Sequence, residues 1–404
     1  MLAGKDGSWN GAPKRFPARQ ILCRKRNGSH QRILTLPGRV NHAIRSIVGN
    51  TGNTGASCRP RCGDFFGVDV LTAPSEVGIL QGGCRAQAVA KGGSDRVFSR
   101  VRDDRGATAI LMRYSEERPE NALFVPIARM LRAEGVAVPE IFHFSEAARE
   151  VWMEDLGECD LHSLQDAAWV VRRAAYADAL GQAARLHALA PQECLVRHPD
   201  VRLMPGFDER LYRWEREYFL ENAAGRIFGV VAEGAPFAVL EEEFAELTRR
   251  LLPGTRVLIH RDFQSQNVMW HRGRAWLIDF QGLRIGHPLY DVASLLYDPY
   301  VRFSAAEREE LAGVYAVAAR EAGVPGLVGE CEMSGMRALL DLCGAQRLMQ
   351  ALGAYGFLAL VRGKRQYLDF VRPALENLSQ ILHRVDFLRE LRSLVDRLLA
   401  MAVK

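Results

Sequence analysis

The chain reads, from residue 257 to residue 281, Val257-Leu-Ile-His260-Arg261-Asp262-Phe-Gln-Ser-Gln-Asn267-Val-Met-Trp-His-Arg-Gly-Arg-Ala-Trp-Leu-Ile-Asp279-Phe-Gln281. An apolar, strand-like run leads into His-Arg-Asp, and Asn267 follows Asp262 by five positions. Residues 267–270 and 275–279 have the character of two strands, and residues 271–274 suit the turn between them. Because antiparallel pairing brings the start of one strand beside the end of the other, this hairpin predicts that Asn267 and Asp279 lie together next to Asp262.

These three side chains suit phosphoryl transfer. That reaction needs a carboxylate to accept the proton of the acceptor hydroxyl, and oxygen ligands to hold Mg²⁺ between the phosphates. Asp262 is the candidate catalytic base, and Asn267 with Asp279 are the candidate metal ligands. Turn capping or a place on a solvated loop would explain any one of these residues alone. It does not explain the complete set, each on the expected element.

A small unit of strands precedes this stretch. The patterns predict three strands, one helix and two further strands, at residues 86–90, 97–101, 107–114, 121–134, 141–144 and 151–153. Because proline is tolerated only in the first turn of a helix, Pro126 indicates that the helix begins near Phe124. After Gly157 the chain becomes helical, with amphipathic stretches at 170–189, at 237–252 and through 375–398. The predicted fold class is α/β (α+β), a bilobal protein-kinase-like fold.

The predicted organisation has three parts. Residues 81–156 form a small β-rich N-lobe that binds nucleotide, and residues 157–404 form a larger helical C-lobe with the catalytic β-hairpin and the acceptor site. Residues 1–80 are expected to be a basic, disordered extension. Within it, residues 1–63 hold twelve Lys and Arg residues and one acidic residue, so the rest of the chain is mildly acidic. The basic pI is therefore no argument for nucleic-acid binding.

Cysteine usage and hydropathy favour a cytoplasmic protein. Cys58 and Cys62 form the closest cysteine pair, and no second Cys/His pair has zinc-finger spacing from them, which favours reduced thiols. No stretch approaches the roughly 18 uninterrupted apolar residues of a membrane span, and the N-terminus lacks the apolar core of a secretion signal. We expect a monomer that binds neither membrane nor nucleic acid.

A glycine-rich turn joins the first two predicted strands. Gly92, Gly93 and Ser94 can lay backbone N–H groups over nucleotide phosphates. Such a turn in isolation would more often be an ordinary hairpin. Its position at the head of the first lobe favours nucleotide binding. No Walker A sequence occurs, so a P-loop mechanism is not expected.

The sequence resembles the aminoglycoside phosphotransferase and choline kinase superfamily, and within it most closely the bacterial N-acetylmuramate/N-acetylglucosamine anomeric kinases. The resemblance covers about residues 85–385. It is carried by the stretches 260–267, 277–281, 288–296, 346–353 and 363–368. It implies ATP and Mg²⁺ as cofactors and a small molecule, most simply an amino sugar, as the acceptor.

The resemblance also assigns roles by position. Asp262 becomes the catalytic base, Asn267 and Asp279 hold the metal, and Asp291 organises the catalytic loop together with His260. Residues 154–156 become the link between the lobes, so that Glu154 and Leu156 meet the adenine. Two residues near the acceptor, Glu217 and Gln281, are weaker candidates for acceptor binding.

One position departs from the family pattern. The third strand of these folds usually offers a Lys to the phosphates, paired with a Glu on the next helix, and residues 109–114 contain no Lys. Arg113 is the nearest cation, and Glu120 is its candidate partner. Arginine binds phosphate and carboxylate in bidentate fashion, so activity need not be lost. The alternative is that Arg113 faces solvent and the phosphates rely on the metal and the glycine-rich turn.

Several function classes remain to be separated. A protein kinase is disfavoured because only eleven residues separate Asp279 from Asp291, which leaves no room for an activation segment, and no Ala-Pro-Glu follows. An aminoglycoside or choline-type kinase is the alternative acceptor class. A silent nucleotide-binding pseudokinase module is the alternative of another kind, but the complete Asp262, Asn267 and Asp279 set argues against it. A basic-tailed nucleic-acid binder depends on residues 1–63 alone.

Overall fold

The computed structural model describes residues 69–89, 96–115, 118–231, 233–326 and 333–402. Residues 1–68, which include Cys58 and Cys62, lie outside the described residues. The predicted glycine-rich turn with Gly92, Gly93 and Ser94 lies outside them as well.

A six-stranded antiparallel sheet forms the N-terminal part of the described chain. Its strands are β1 Asp69–Leu71, β2 Cys84–Val89, β3 Val97–Asp103, β4 Thr108–Arg113, β5 Ile141–Ser145 and β6 Glu150–Glu154. They lie in the order β1-β2-β3-β4-β6-β5. In β4 the side chains of Ala109 and Leu111 are buried on one face of the sheet and Met112 is buried on the other, so both faces of this strand are covered.

The first helix covers one face of this sheet. α1 spans Phe124–Ala133 and follows a 3₁₀ turn at Pro119–Leu123. Pro126 lies in its first turn, where a missing backbone N–H costs no helical hydrogen bond. The helix buries Phe124, Ile127 and Leu131 among its apolar residues. The predicted helix and its start near Phe124 are confirmed.

The folded region begins earlier than the sequence suggested. Residues 69–80 were expected to belong to a disordered extension, but β1 pairs with β2 through three residue pairs. The following turn buries Val77 completely and Leu80 almost completely, against Cys84 and Trp152. The apolar run in this segment completes the edge of the sheet, which corrects the expected boundary at residue 81.

The C-terminal part is helical. Its helices are α2 Trp169–Ala188, α3 Pro191–Arg197, α4 Glu209–Phe219, α5 Ala235–Leu251, α6 Pro288–Leu296, α7 Ala305–Ala322, α8 Met333–Gly356, α9 Val371–Leu382 and α10 Arg389–Met401. α4 continues into a π-helical turn at Leu220–Gly225, and α8 into one at Phe357–Val361. The amphipathic stretch through 375–398 is two helices, because the chain turns between α9 and α10 so that both apolar faces reach the core. The predicted mixed α/β fold, with a sheet-rich N-terminal part and a helical C-terminal part, is confirmed.

Two short antiparallel pairs interrupt the helices. β8 Val268–His271 pairs with β9 Arg274–Leu277 as the predicted hairpin. β7 Val257–Ile259 pairs with β10 Arg284–Gly286, a pairing that the sequence did not predict. At Gly286 a Cβ would lie 2.5 Å from Ile259 Cδ1 and 3.0 Å from Phe207 Cδ2, so a larger residue would displace these two side chains. The residues between β7 and β10 contain all three predicted catalytic side chains. Among the described helices, none is both long and apolar enough to cross a membrane.

Candidate active site

The loop that carries Asp262 leaves β7 in a strained backbone conformation, and hydrogen bonds to Asp291 hold it there. Arg261 adopts a left-handed backbone with φ 75°, which is uncommon for a residue other than glycine. Asp291, fully buried on α6, accepts the backbone N–H groups of His260 (2.6 Å) and Arg261 (2.8 Å), one on each carboxylate oxygen. Its Oδ2 also lies 3.1 Å from Nε2 of His187 on α2. These contacts stabilise the strained turn and support the organising role, which stays a prediction.

His260 and Asn267 connect this loop to the hairpin. The imidazole Nε2 of His260 lies 3.0 Å from the carbonyl oxygen of Ile278, directly before Asp279. The backbone N–H of Ile278 donates to the carbonyl oxygen of Asn267 (3.0 Å), so the hairpin brings these positions together as its register predicts. The Asn267 amide Nδ2 donates to the carbonyl oxygen of Asp262 (2.9 Å). Among the described residues, no group donates to Asn267 Oδ1, which leaves that oxygen available as a ligand.

Asp279 has a left-handed backbone with φ 65°, so the chain turns sharply after β9. Phe280, the next residue, stacks on Phe124 of α1 with ring centroids 4.8 Å apart, which fixes this turn against the N-terminal part. The Asp279 carboxylate accepts a hydrogen bond from the Arg96 guanidinium and one of 3.1 Å from Nε2 of Gln281. Gln281 Oε1 in turn accepts from Arg96 Nη1 (2.7 Å). Gln281 thus contacts the candidate metal ligand and Arg96, and its role at the acceptor stays a prediction.

Arg96 was missed at the sequence level. It follows the glycine-rich turn and directly precedes β3, and its side chain is buried. Its partners Asp279 and Gln281 place a positive charge beside the candidate metal ligand. Proximity of Arg96 to the predicted phosphate-binding turn was the one available signal in the sequence.

Arg113, the cation expected at the phosphates, contacts Glu150 instead of the candidate metal ligand. Its Nε donates to Glu150 Oε1 on the neighbouring strand β6 (2.8 Å), and its side chain is 53% exposed. Glu120 Oε1 lies 3.9 Å from Arg118 Nη1 instead. The expected Arg113–Glu120 pair is therefore corrected: Arg113 sits at the end of β4 opposite Glu150, so the cross-strand pair forms in preference.

The link between the two parts of the fold is tied to β3. Glu154 ends β6, and Leu156 is buried. Arg100 of β3 donates to both carboxylate oxygens of Asp155 (2.7 and 3.1 Å) and to the carbonyl oxygen of Gly157 (3.0 Å). These bonds fix the link, while its predicted contact with adenine stays a prediction.

Two arginines surround Asp262. Arg261 Nη1 donates to Asp262 Oδ2 (2.7 Å), and Arg347 Nη2, from α8, lies 3.7 Å from Oδ1. Burial pushes the pKa of the Asp262 carboxyl upward, but the charges of Arg261 and Arg347 outweigh it and lower that pKa to about 2. Asp262 is therefore ionised at neutral pH, as an acceptor of the substrate's proton must be.

A layer of buried polar groups lies behind Asp262. Glu215 of α4 is fully buried and accepts from the Tyr290 hydroxyl and from Gln346 Nε2, both at 3.0 Å. Burial raises the pKa of Glu215, which the charges of Arg261 and Arg347 only partly offset. Arg284 of β10 is also buried, close enough to Arg261, Asp262 and Glu215 to be affected by their charges.

The other predicted acceptor residue lies elsewhere. Glu217 is exposed and lines a cavity of about 290 Å³ between α4 and α5. That cavity is lined in part by Arg213, Arg216 and Phe244. Asp262, Asn267 and Asp279 are not among its lining residues. Since successive helical residues face about 100° apart, Glu215 rather than Glu217 is the α4 acid that faces the catalytic loop.

The donor set fits a magnesium ion in chemical type. Asn267 Oδ1 and the Asp279 carboxylate are hard oxygen ligands, and the Asp279 side chain keeps a third of its surface exposed. Among the described residues no group of three or more His, Cys, Asp and Glu side chains gathers as a metal cluster. Two protein ligands completed by phosphate oxygens and water agree with how Mg²⁺ is usually held in kinases.

Comparisons with known proteins identify the family. The model of the phosphotransferase enzyme family matches residues 85–326, more than half of the chain. The N-acetylmuramate/N-acetylglucosamine kinase of Pseudomonas putida is 29% identical over 197 residues, which cover 49% of this chain and 57% of that protein. The kinase of the same name from Caulobacter vibrioides is 28% identical over 281 residues, 68% of this chain and 74% of that protein.

The solved structures agree with the fold. A choline/ethanolamine kinase family protein from Mesorhizobium loti superposes with a TM-score of 0.52 and 17% identity, covering 77% of this chain and 92% of that one. At this identity the similarity shows the fold alone. The family match over residues 85–326 is independent of it and includes the whole stretch from β7 to α6. The chain belongs to the phosphotransferase enzyme family.

Proposed function

We propose that this chain is a small-molecule kinase that transfers the γ-phosphoryl group of ATP, with Mg²⁺, to a hydroxyl of an amino sugar. The observation that carries the proposal is the backbone arrangement that brings Asp262, Asn267 and Asp279 together. Asn267 donates through its side-chain amide to the Asp262 carbonyl oxygen, and its own carbonyl oxygen accepts from the backbone N–H of Ile278, the residue directly before Asp279. Family membership and the named relatives support the same class of reaction.

In this proposal each residue has one task. The Asp262 carboxylate accepts a hydrogen bond from the acceptor hydroxyl and then its proton, as the hydroxyl oxygen forms a bond to the γ-phosphorus and the bond to the β–γ bridging oxygen breaks. ADP leaves with the electrons of the broken bond. Asn267 Oδ1 and Asp279 hold Mg²⁺, which supplies charge neutralisation on the nucleotide phosphates. Arg96, which contacts the Asp279 carboxylate, would add positive charge beside the nucleotide phosphates.

The charge around Asp262 bears on the acceptor. Three arginines, Arg261, Arg284 and Arg347, are affected by the Asp262 charge or bound to it. A cationic acceptor such as choline or an aminoglycoside would bring further positive charge to this cluster, and like charges in a buried site repel strongly. An uncharged or anionic amino sugar is favoured. This agrees with the names of the bacterial relatives.

The test is an ADP-release assay with ATP and Mg²⁺ on the wild type and on Asp262→Ala. The acceptor panel is N-acetylmuramate, N-acetylglucosamine, kanamycin and choline. We expect ADP release with at least one amino sugar and none with the two cationic acceptors. Asp262→Ala should lower kcat by about two to four orders of magnitude, the usual effect of removing a general base.

A matched control separates catalysis from folding. Asp200→Asn changes an exposed aspartate between α3 and α4 and should leave kcat within about twofold of the wild type. Near-normal turnover in Asp262→Ala would remove the catalytic assignment. ATP binding without ADP release for any acceptor would favour the alternative of a silent nucleotide-binding module.

A further inference from the structure

Arg284 is a buried arginine at the catalytic loop whose terminal nitrogens have no acceptor among the described residues. It begins β10 and lies opposite Ile259 of β7, the residue directly before His260. Its Nε donates to the carbonyl oxygen of Gly282 (3.1 Å), and its guanidinium carbon lies 5.8 Å from the ring centre of Phe207. Within the part of the chain that the structure describes, Arg284 forms no ion pair and its Nη groups make no hydrogen bond.

Such an arrangement needs a physical explanation. The side chain of Arg284 is only 7% exposed, and a buried guanidinium without a counter-ion is costly. The terminal nitrogens of Arg284 are nevertheless not fully enclosed by protein, so solvent or a ligand can reach them. The recognised explanations for such an unsatisfied group include a catalytic role and a bound water or ion.

The neighbouring carboxylates, among the described residues, form no direct ion pair with Arg284. Asp262 is already bound to Arg261 at 2.7 Å and lies 3.7 Å from Arg347. Glu215 is fully buried and accepts hydrogen bonds from Tyr290 and Gln346. Burial raises the pKa of Glu215, which favours the uncharged form of its carboxyl group. Burial and the nearby charge of Arg261 lower the pKa of Arg284 to about 10, so it stays a cation at neutral pH.

The position of Arg284 relates it to the acceptor. Its strand partner Ile259 leads directly into the loop that carries Asp262, the group proposed to contact the acceptor hydroxyl. The ring of Phe207, from the segment before α4, lies near the Arg284 guanidinium, whereas Arg96 contacts the candidate metal ligand Asp279. We propose that Arg284 binds an anionic group of the acceptor and thereby makes the chain prefer a carboxylate-bearing amino sugar over its neutral counterpart. A planar guanidinium with two free nitrogens matches a carboxylate in bidentate geometry. This inference rests on the proposed function.

The test compares two acceptors that differ in the carboxylate. N-acetylmuramate carries a lactyl carboxylate that N-acetylglucosamine lacks. We expect Arg284→Gln to raise the KM for N-acetylmuramate about ten- to a hundredfold, the usual effect of losing a hydrogen bond between charged groups. The KM for N-acetylglucosamine and the KM for ATP should change by less than about threefold. Arg372→Gln, which changes an exposed arginine paired with Glu376 on α9, is the matched control and should change none of the three.

Two further measurements hold even if Arg284→Gln folds poorly. Arg284→Lys keeps the charge and should retain part of the preference for N-acetylmuramate. The neutral amide of N-acetylmuramate, assayed with the wild type, should lose that preference without any mutation.

Three other outcomes would contradict either the role of Arg284 or the proposed function. An equal fall in kcat for both sugars in Arg284→Gln would place Arg284 on the transferred phosphoryl group, which is the other anion at this site, and would overturn the inference alone. A wild type that phosphorylates both sugars equally well would also overturn the inference alone. A wild type that phosphorylates neither sugar would overturn the proposed amino-sugar kinase function and the inference with it.

Discussion

At the scale of single residues, the state of Asp262 is set by its two arginines. Its pKa of about 2 means that the carboxylate is lost only as the pH falls through that value, so it is ionised throughout the neutral range. A base whose pKa lies so far below the working pH has little driving force to take up a proton early in the reaction. Orientation of the acceptor hydroxyl and late acceptance of its proton therefore fit Asp262 better than full deprotonation before transfer.

Arg96 provides a second test at this scale. Because it contacts both Asp279 and Gln281, we predict that it supplies the positive charge that a strand lysine supplies in related folds. Arg96→Ala should raise the KM for ATP about tenfold, since one charged phosphate contact is worth roughly 1.5 kcal/mol. The KM for the acceptor should stay within about twofold. Steady-state kinetics with ATP and acceptor varied in turn measure both values.

The control for this variant lies on the adjoining strand. Arg102 of β3 is exposed, and Arg102→Ala should leave both KM values unchanged. An unchanged KM for ATP in Arg96→Ala would show that Arg96 serves only to hold Asp279. A tenfold rise in the acceptor KM instead would move Arg96 to the acceptor side of the site.

At the scale of elements, local patterns predicted the hairpin but not its surroundings. Residues 267–279 contain their own turn and their own pairing partners, so the register of β8 and β9 follows from a short stretch of sequence. Arg96 and Asp279 are 183 residues apart, and Tyr290 and Glu215 are 75 apart. Such pairs arise from packing of whole elements and leave no periodic signal. The same reason explains why the β7–β10 pairing and the role of Arg284 could not be predicted from sequence.

Asp291 joins elements, so its replacement tests the catalytic loop as a unit. Its two oxygens accept the N–H groups of His260 and Arg261, and an amide in Asp291→Asn would turn an NH₂ group toward at least one of those donors. We expect a loss of about 3 kcal/mol in the free energy of unfolding, typical of a broken buried charged contact, and at least a hundredfold fall in kcat. Urea unfolding at pH 7 and the ADP-release assay measure the two effects.

Asp396→Asn on α10 is the control for this prediction. Asp396 is half-exposed and accepts a hydrogen bond from the Ser379 hydroxyl (2.8 Å), so its replacement should change the free energy of unfolding by no more than about 0.5 kcal/mol. If Asp291→Asn unfolds like the wild type and turns over normally, the strained backbone at Arg261 must be held by other contacts.

At the scale of the whole molecule, two truncations locate the start of the part needed for activity. Removing residues 1–63 takes away the basic segment but none of the described contacts, so we expect kcat/KM within about twofold of the wild type. Removing residues 1–80 also deletes β1, the fully buried Val77 and the nearly buried Leu80. Burial of one such side chain is worth about 1.5–3 kcal/mol, so the longer truncation should lower the free energy of unfolding by at least about 2 kcal/mol. Urea unfolding and ADP release measured on both variants separate the alternatives. A loss of activity in the shorter truncation would give residues 1–63 a part in catalysis, and equal stability of the two would show that β1 adds nothing to the sheet.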